Sequence, residues 1–427
     1  MWPVLSAAAG YARHISSLSV VFSFNFLPKV GFFLMIYLDN AATTPVLPEV
    51  VEAMLPYFTK FYGNPSNIYG LSLASRRALD AARATVAKCI GAKLPAEIFF
   101  TGCGTESDNL AVIGLARARR ELGNHIITST VEHHAVLHAC DQLKKEGFEI
   151  TRIPVDSQGM VSVEKVAAAL TDKTVVVSIM LANNEVGTLQ PIAEIAKLLA
   201  NHQAYLHTDA VQATGSIPIN VVELGVDALS MSAHKFHGPK GVGALYLRTG
   251  VRPLSVNYGG GQERGLRSGT ENVPGIIGLA KALDIAVSTM EERSKELKAK
   301  RDYLIEKILT SVRGAELTGH PTLRLPGNAS FVFPGVEGES LIMQLDRKGV
   351  CASSGSACAS SALGISHVLE AMGYHSPLGR GSLRLTLDAS VTYEELDEAI
   401  AVIVKAAQKL QAMAPKSCFT KAHSCSR

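Results

Sequence analysis

Residues 228–243 read ALSMSAHKFHGPKGVG. The apolar opening has the look of a buried strand. It breaks into His234, Lys235, Phe236 and His237 and then into a Gly/Pro loop. A lysine at the end of a buried strand is costly to keep charged, so its pKa is expected to fall. A neutral amine can attack a carbonyl and hold it as a Schiff base. Gly238, Pro239, Gly241 and Gly243 are expected to let backbone pass close to a ligand. A lone lysine in a turn is ordinarily a surface residue, and the residues upstream change that expectation.

Several of them carry complementary chemistry. Residues 100–105 end a strand and open a helix through Gly102, Gly104 and Thr105. A helix N-terminus with glycines and a hydroxyl suits a phosphate. Ser232 and His234 flank the lysine and could add phosphate donors. Asp209 ends YLHTD, with Gln212 three residues on. A buried aspartate there is either structural or the partner of a ring nitrogen. Glu132 and His133 are expected at the end of the second strand, where His133 could stack on an aromatic ring. Lysine, carboxylate and phosphate cup together describe pyridoxal 5′-phosphate.

These residues need a scaffold that brings strand ends together. Strand-like runs begin at Glu97, His125, Phe148, Thr174, Tyr205, Ala228 and Gly243, each β-branched or apolar and bounded by turn formers. Helical patterns lie between them, as at 109–122 and 192–199. Alternating strands and helices predict an α/β fold with a largely parallel sheet covered on both faces. Only a tight loop joins the last two strands, so that pair is expected to be antiparallel. Ligands in such sheets sit beyond the carboxyl ends of the strands. Upstream, residues 36–39 form a short strand, and helices are expected over 48–60 and 72–91. From Gly275 the chain is helical and turns charged. Beyond it come strands at 328–334 and 382–388, helices at 339–348 and 393–411, and a small-residue loop at 351–362. This is a smaller α+β unit.

The chain has 427 residues, too many for one small core, and 47% of them are hydrophobic against 19% charged. The formal net charge is only +3, with no basic block, so nucleic acid is not an expected partner. Seven cysteines without a CxxC pair argue for a reducing compartment, against a disulfide framework and against a metal site. No Asp or Glu precedes Asp39, and the apolar runs before it are broken by Pro28 and Lys29, so no membrane span is expected. Residues 1–35 are an extension with three readings: a transit peptide, a signal peptide, or a disordered or mis-started segment with Met35 as the working start. The last is favoured, because Met35 directly precedes a strand and turn. A cytoplasmic location follows, or a mitochondrial one if the extension is a transit peptide. A chain beginning at Met35 is expected to fold and bind cofactor; loss of solubility or activity on that truncation would make the extension part of the structure.

The motifs YLDNAATTP, YGNPS, TESDN, VEHHAV, NNEVGT, HTDAVQ, SAHKFHGPKGVG, GGGQERGLRSGT and SSGSAC occur in this order over residues 36–414. Together they resemble the NifS/IscS-type cysteine desulfurases, fold-type-I pyridoxal-phosphate enzymes of the class V aminotransferase group. The resemblance implies a large domain with a mostly parallel seven-stranded sheet (51–291) and a smaller α+β domain (36–50 with 292–414). Residues 415–427 are left as a loose tail. It makes Lys235 the cofactor lysine, lays His133 over the ring, and sets Asp209 at the pyridine nitrogen and Gln212 at the phenolic oxygen. Gly104, Thr105, Ser232 and His234 would hold the phosphate, completed by Thr270 from the other subunit of a homodimer. Asn184 and Arg384 match positions that bind cofactor and substrate carboxylate. Cys358, in SSGSAC, would accept sulfur from L-cysteine as a persulfide, releasing L-alanine. That persulfide would pass to an acceptor such as an iron–sulfur scaffold, transiently meeting a cluster, or serve tRNA thiolation. Selenocysteine lysis, or another aminotransferase or lyase chemistry of the same group, remains the alternative. Two positions depart from the family pattern: Cys103, where glycine is usual, and Tyr69, where many relatives have histidine.

Overall fold

The computed structural model describes residues 35–354 and 364–415. The extension, the tail after 415 and the segment carrying Cys358 lie outside the described residues. The first strand, β1 (Ile36–Tyr37), is short. Seven strands form the large sheet: β2 (Ile98–Thr101), β3 (His125–Ser129), β4 (Glu149–Ile153), β5 (Thr174–Ser178), β6 (Tyr205–Asp209), β7 (Ala228–Ser232) and β8 (Gly243–Leu247). Their order is β2-β8-β7-β6-β5-β3-β4. The run from β4 to β7 is parallel, and β8 is antiparallel to both β7 and β2. The β7–β8 pair is antiparallel as expected, for want of a crossover.

Every residue of β3, β5, β7 and β8 is buried, the mark of strands covered on both faces. One apolar cluster joins helix Gly70–Cys89 and helix Val273–Ser288 to one face. Another joins helix Gly104–Ala118 and helix His134–Lys145 to the other. A third cluster surrounds a three-stranded antiparallel sheet of β9 (Glu316–Thr318), β10 (Asn328–Val332) and, after β11 (Val350–Cys351), β12 (Ser382–Thr386). The helices Val273–Ser288 and Met290–Ser311 meet at a 71° bend, so the charged helix leaves the first cluster for the third. Among the described residues no single helix is long and apolar enough to cross a membrane.

Three expectations are corrected. The helix expected over 48–60 is two, Pro48–Met54 and Pro56–Thr59, because Pro56 has no N–H for the carbonyl one turn back. Glu132 and His133 do not end β3, which stops at Ser129. His133 is instead the cap of the next helix, accepting from Ala135 N at 3.1 Å. Gly238 and Gly243 serve packing rather than a ligand: a Cβ on Gly238 would meet Ala233, and one on Gly243 would meet the Cys103 backbone at 2.7 Å.

Candidate active site

A cavity of about 350 Å³ lies beyond the carboxyl ends of the central strands. The end of β7 and the turn after it supply Ser232, His234 and Lys235 to its wall, and the end of β6 and the turn after it supply Asp209 and Gln212. The N-terminus of helix Gly104–Ala118 supplies Gly104 and Thr105, and the loop after β5 supplies Asn184. His133 and Arg384, from a helix cap and from β12, close it. Folding thus gathers ten of the expected site residues. Thr270 is exposed and does not line this cavity. Cys358 lies outside the described residues.

Lys235 is half-buried, and its Nζ donates to the carbonyls of Ala41 at 2.6 Å and Ala42 at 2.8 Å. Gln212 Nε2 donates to the same Ala41 carbonyl at 3.0 Å. The turn after β1 therefore sets the position of the lysine, although nearly two hundred residues separate them.

The phosphate end is legible as a set of unused donors. Cys103 caps helix Gly104–Ala118 without a side-chain hydrogen bond, leaving N–H groups of its first turn for a ligand. Ser232 Oγ is buried with no partner. A Cβ on Gly104 would sit 2.7 Å from Val211 and 3.3 Å from Ser232, so only glycine keeps this cradle open. His234 Nδ1 pairs with Thr43 Oγ1 at 3.2 Å, and burial pushes its pKa down to about 4. It is a neutral donor or acceptor at pH 7.

Arg384 is almost fully buried. Its Nη1 donates to the Asn184 carbonyl at 3.0 Å and its Nη2 to Asp39 Oδ1 at 2.9 Å, while its Nε has no partner. A fixed guanidinium with a spare donor suits a carboxylate. Behind it stands Glu185, buried, accepting from the Ser366 hydroxyl and pushed up to about 7 by burial.

Two buried acids stand here, Asp209 in the cavity wall and Glu132 bonded to the wall residue Met180. Asp209 accepts from Val211 N at 2.9 Å, and burial raises it to about 6, against the pull of Lys235. Glu132 Oε1 accepts from Ser129 Oγ and Met180 N at 2.6 and 3.0 Å, while Oε2 is buried without a partner. Burial raises Glu132 from 4.5 to about 8. A carboxyl whose folded pKa is raised stabilises the fold fully below 4.5, and that stability is lost as pH rises toward about 8. Glu132→Gln should therefore gain thermal midpoint on the wild type as pH rises across this window. A midpoint difference that stays flat with pH would show that Glu132 is charged in the fold.

His133 Nδ1 accepts from Ala135 N, so the ring proton of the neutral form sits on Nε2. Burial and the Lys235 charge push it down to about 4. At pH 7 it presents a neutral ring and an N–H rather than a ready base.

Sequence reasoning missed Asp39 and Asp108, both of which line the cavity. Asp108 was legible within TESDN: it follows Gly104 by four residues, one helical turn, and so shares its face. Of the two departures, Cys103 lines the cavity, whereas Tyr69 is exposed and its hydroxyl accepts from Asn67 at 3.1 Å.

This donor set fits pyridoxal 5′-phosphate. Lysine and buried carboxylate face one space, with an uncapped helix N-terminus and an unpaired buried hydroxyl beside them. The family model for aminotransferase class V matches residues 36–398. The chain belongs to the class V aminotransferase family. Among class V relatives, it is 51% identical over 380 residues to the cysteine desulfurase IscS of Methanosarcina thermophila, covering 89% of this chain and 94% of that protein. A solved NifS-like protein superposes with a TM-score of 0.83 at 39% identity, over 88% of this chain and 100% of the other. SspA in complex with cysteine superposes with a TM-score of 0.74 at 34% identity, over 84% and 100%. The α/β architecture with its seven-stranded, mostly parallel sheet is the fold the motifs implied.

Proposed function

We propose that this chain is a pyridoxal-phosphate-dependent cysteine desulfurase, converting L-cysteine to L-alanine and holding the sulfur as a persulfide on Cys358. The observation that carries it is the meeting of Lys235, Asp209, Arg384 and the unused phosphate donors in one cavity. The relatives named cysteine desulfurase support the choice of substrate.

When bound, the cofactor supplies an electron sink for charge developing at the substrate Cα. Arg384, fixed by Asp39 and Asn184, receives the substrate carboxylate and orients the amino acid. The Lys235 amine would form the covalent link to the cofactor and, when free, is the group placed to take the substrate Cα proton. Asp209 would hold the pyridine nitrogen protonated, and Gln212 and Asn184 would bond the cofactor's polar edge. Gly104, Thr105, Ser232 and His234 would anchor its phosphate. His133 would offer a neutral ring to it. The Cys358 thiolate attacks the substrate sulfur. An S–S bond forms, the Cβ–S bond breaks, and protonation of the three-carbon remainder yields alanine. Incubating the pure protein with cysteine should release alanine in step with enzyme-bound sulfur or, with a thiol reductant, sulfide. Alanine formed without sulfur transfer would favour another class V chemistry.

Asp209→Asn should lower kcat by about 10²-fold or more while the fold survives, since the electron sink depends on a protonated nitrogen. Near-normal kinetics would mean that another group does this.

The functional unit is a homodimer in which Thr270 reaches the partner's phosphate site. Its exposure outside its own cavity supports this, as do the exposed Leu55, Phe58, Tyr62 and Ile68, the last 91% exposed. Sedimentation should give a dimer at assay concentration; an active monomer would exclude the composite site. The bend near Thr289 and the separate cluster around β10 support two domains, 51–291 and 36–50 with 292–414. Sulfur passes from Cys358 to an acceptor protein, for iron–sulfur assembly or tRNA thiolation, in the cytoplasm or, if residues 1–35 are a transit peptide, the mitochondrion.

A further inference from the structure

A buried polar row crosses the sheet beneath the cavity. Ser178 on β5, His207 on β6 and Ser230 on β7 are each fully buried. Ser178 Oγ lies 2.9 Å from His207 Nδ1, and His207 Nε2 lies 3.0 Å from Ser230 Oγ. His207 Nε2 is also 3.7 Å from Asp108 Oδ1. As a neutral ring, His207 donates one of the two serine bonds and accepts the other. Burial pushes His207 down to about 3, in keeping with a single ring proton.

The row ends on Asp108, 1% exposed, whose Oδ1 has no hydrogen-bond partner. The titratable groups facing it are Asp209, Glu132, Cys103 and His207. Asp209 and Glu132 are acids and His207 is neutral, so the charges that act most on Asp108 are negative. Asp209 differs, because the Lys235 charge favours its ionised form. An ionised carboxylate with a bare, buried oxygen beside two other acids is costly, and protonation removes the cost.

We infer that Asp108 is a positioning residue that keeps a proton, so that the negative charge of the cavity floor stays on Asp209. The inference rests on the proposed pairing of Asp209 with the pyridine nitrogen. A neutral Asp108 leaves the ring nitrogen facing one localised charge. The row from Ser178 to Ser230 fixes the neutral His207 ring against which the Asp108 carboxyl packs.

The test compares Asp108→Asn, Asp108→Leu and Asp209→Asn. In the holoenzyme, the ¹⁵N shift of ring-labelled cofactor reports whether the nitrogen is protonated. Asp108→Asn, neutral, polar and of the same shape, should keep the protonated shift and hold kcat within about threefold of wild type. Asp108→Leu removes the polar end of the row beside His207 and should lower kcat by about tenfold with little change in KM. Recovery by asparagine but not by leucine supports the inference. A deprotonated ring nitrogen in Asp108→Asn, or a kcat as low as that of Asp209→Asn, overturns it, because the charge would then be needed on Asp108. The cofactor-free protein gives a reading independent of Asp209. Wild type should lose thermal midpoint against Asp108→Asn as pH rises above 3.8, since only wild type must hold its proton. A midpoint that instead falls in Asp108→Asn, increasingly at high pH, overturns the proton on Asp108. If Asp209→Asn leaves the ring nitrogen protonated, the role given to Asp209 fails while this second arm still decides Asp108.

Discussion

Lys235→Ala should abolish turnover, with kcat falling by about 10³-fold or more, and should remove the visible absorbance of the lysine-linked cofactor. Two losses combine. Among the described residues no other lysine lines the cavity to form the covalent link to the cofactor. The proton carrier for Cα goes as well, and such groups contribute about 10²–10⁴-fold. The fold should tolerate the change. Of the two carbonyls that Nζ serves, Ala41 keeps its bond from Gln212 Nε2 at 3.0 Å. The anchor for phosphate is untouched: the helix N-terminus at Gly104 and the unpaired Ser232 hydroxyl remain. The variant should therefore still bind cofactor non-covalently, seen by equilibrium dialysis, and melt close to wild type. Turnover at the wild-type rate would remove Lys235 from the mechanism.

Cys358→Ala should keep the cofactor spectrum and its response to cysteine, but release alanine at less than about a hundredth of the normal rate. It should carry no persulfide. A thiol attacks as its thiolate, and an ordinary cysteine has a pKa of about 8.5. Burial pushes Cys89 up to about 11 and Cys140 up to about 12, and raises Cys351, so these three remain protonated at neutral pH. Among the described cysteines, only Cys103 lines the cavity, which makes it the internal control. Mass spectrometry after brief exposure to cysteine should place one added sulfur on Cys358. Sulfur on Cys103, with Cys358→Ala still active, would reassign the acceptor to the position where the chain departs from its family.

The sequence alone was enough to determine the architecture and to name ten residues that line the cavity. β-branched runs spaced by helical patterns specify a parallel sheet, because both are local properties of the chain. Lys235, Asp209 and Gly104 were legible for a related reason. Parallel strands all end on one side, so residues at strand ends converge without any knowledge of the long-range contacts. The short strands β9 and β11 were not legible: three and two residues carry no periodicity, and no turn motif marks them as one marks the equally short β1. Nor was the break at Leu55–Pro56 that divides the helix expected over 48–60.

Tertiary structure alone decided what surrounds each functional group. Arg384 is held by Asp39, 345 positions away, and Lys235 by Ala41, 194 away. No local pattern encodes such pairs, because they form only when β1, β7 and β12 come together. The same holds for the row Ser178–His207–Ser230. Each residue looks like an ordinary polar interruption of its own strand, and only the register of β5, β6 and β7 lines them up to end on Asp108. Burial, which sets the protonation of Asp108, Glu132 and His133, is likewise a property of the packed molecule. The chain names which groups are present, and the surrounding protein decides their charge, because the cost of ionisation depends on what has displaced the water.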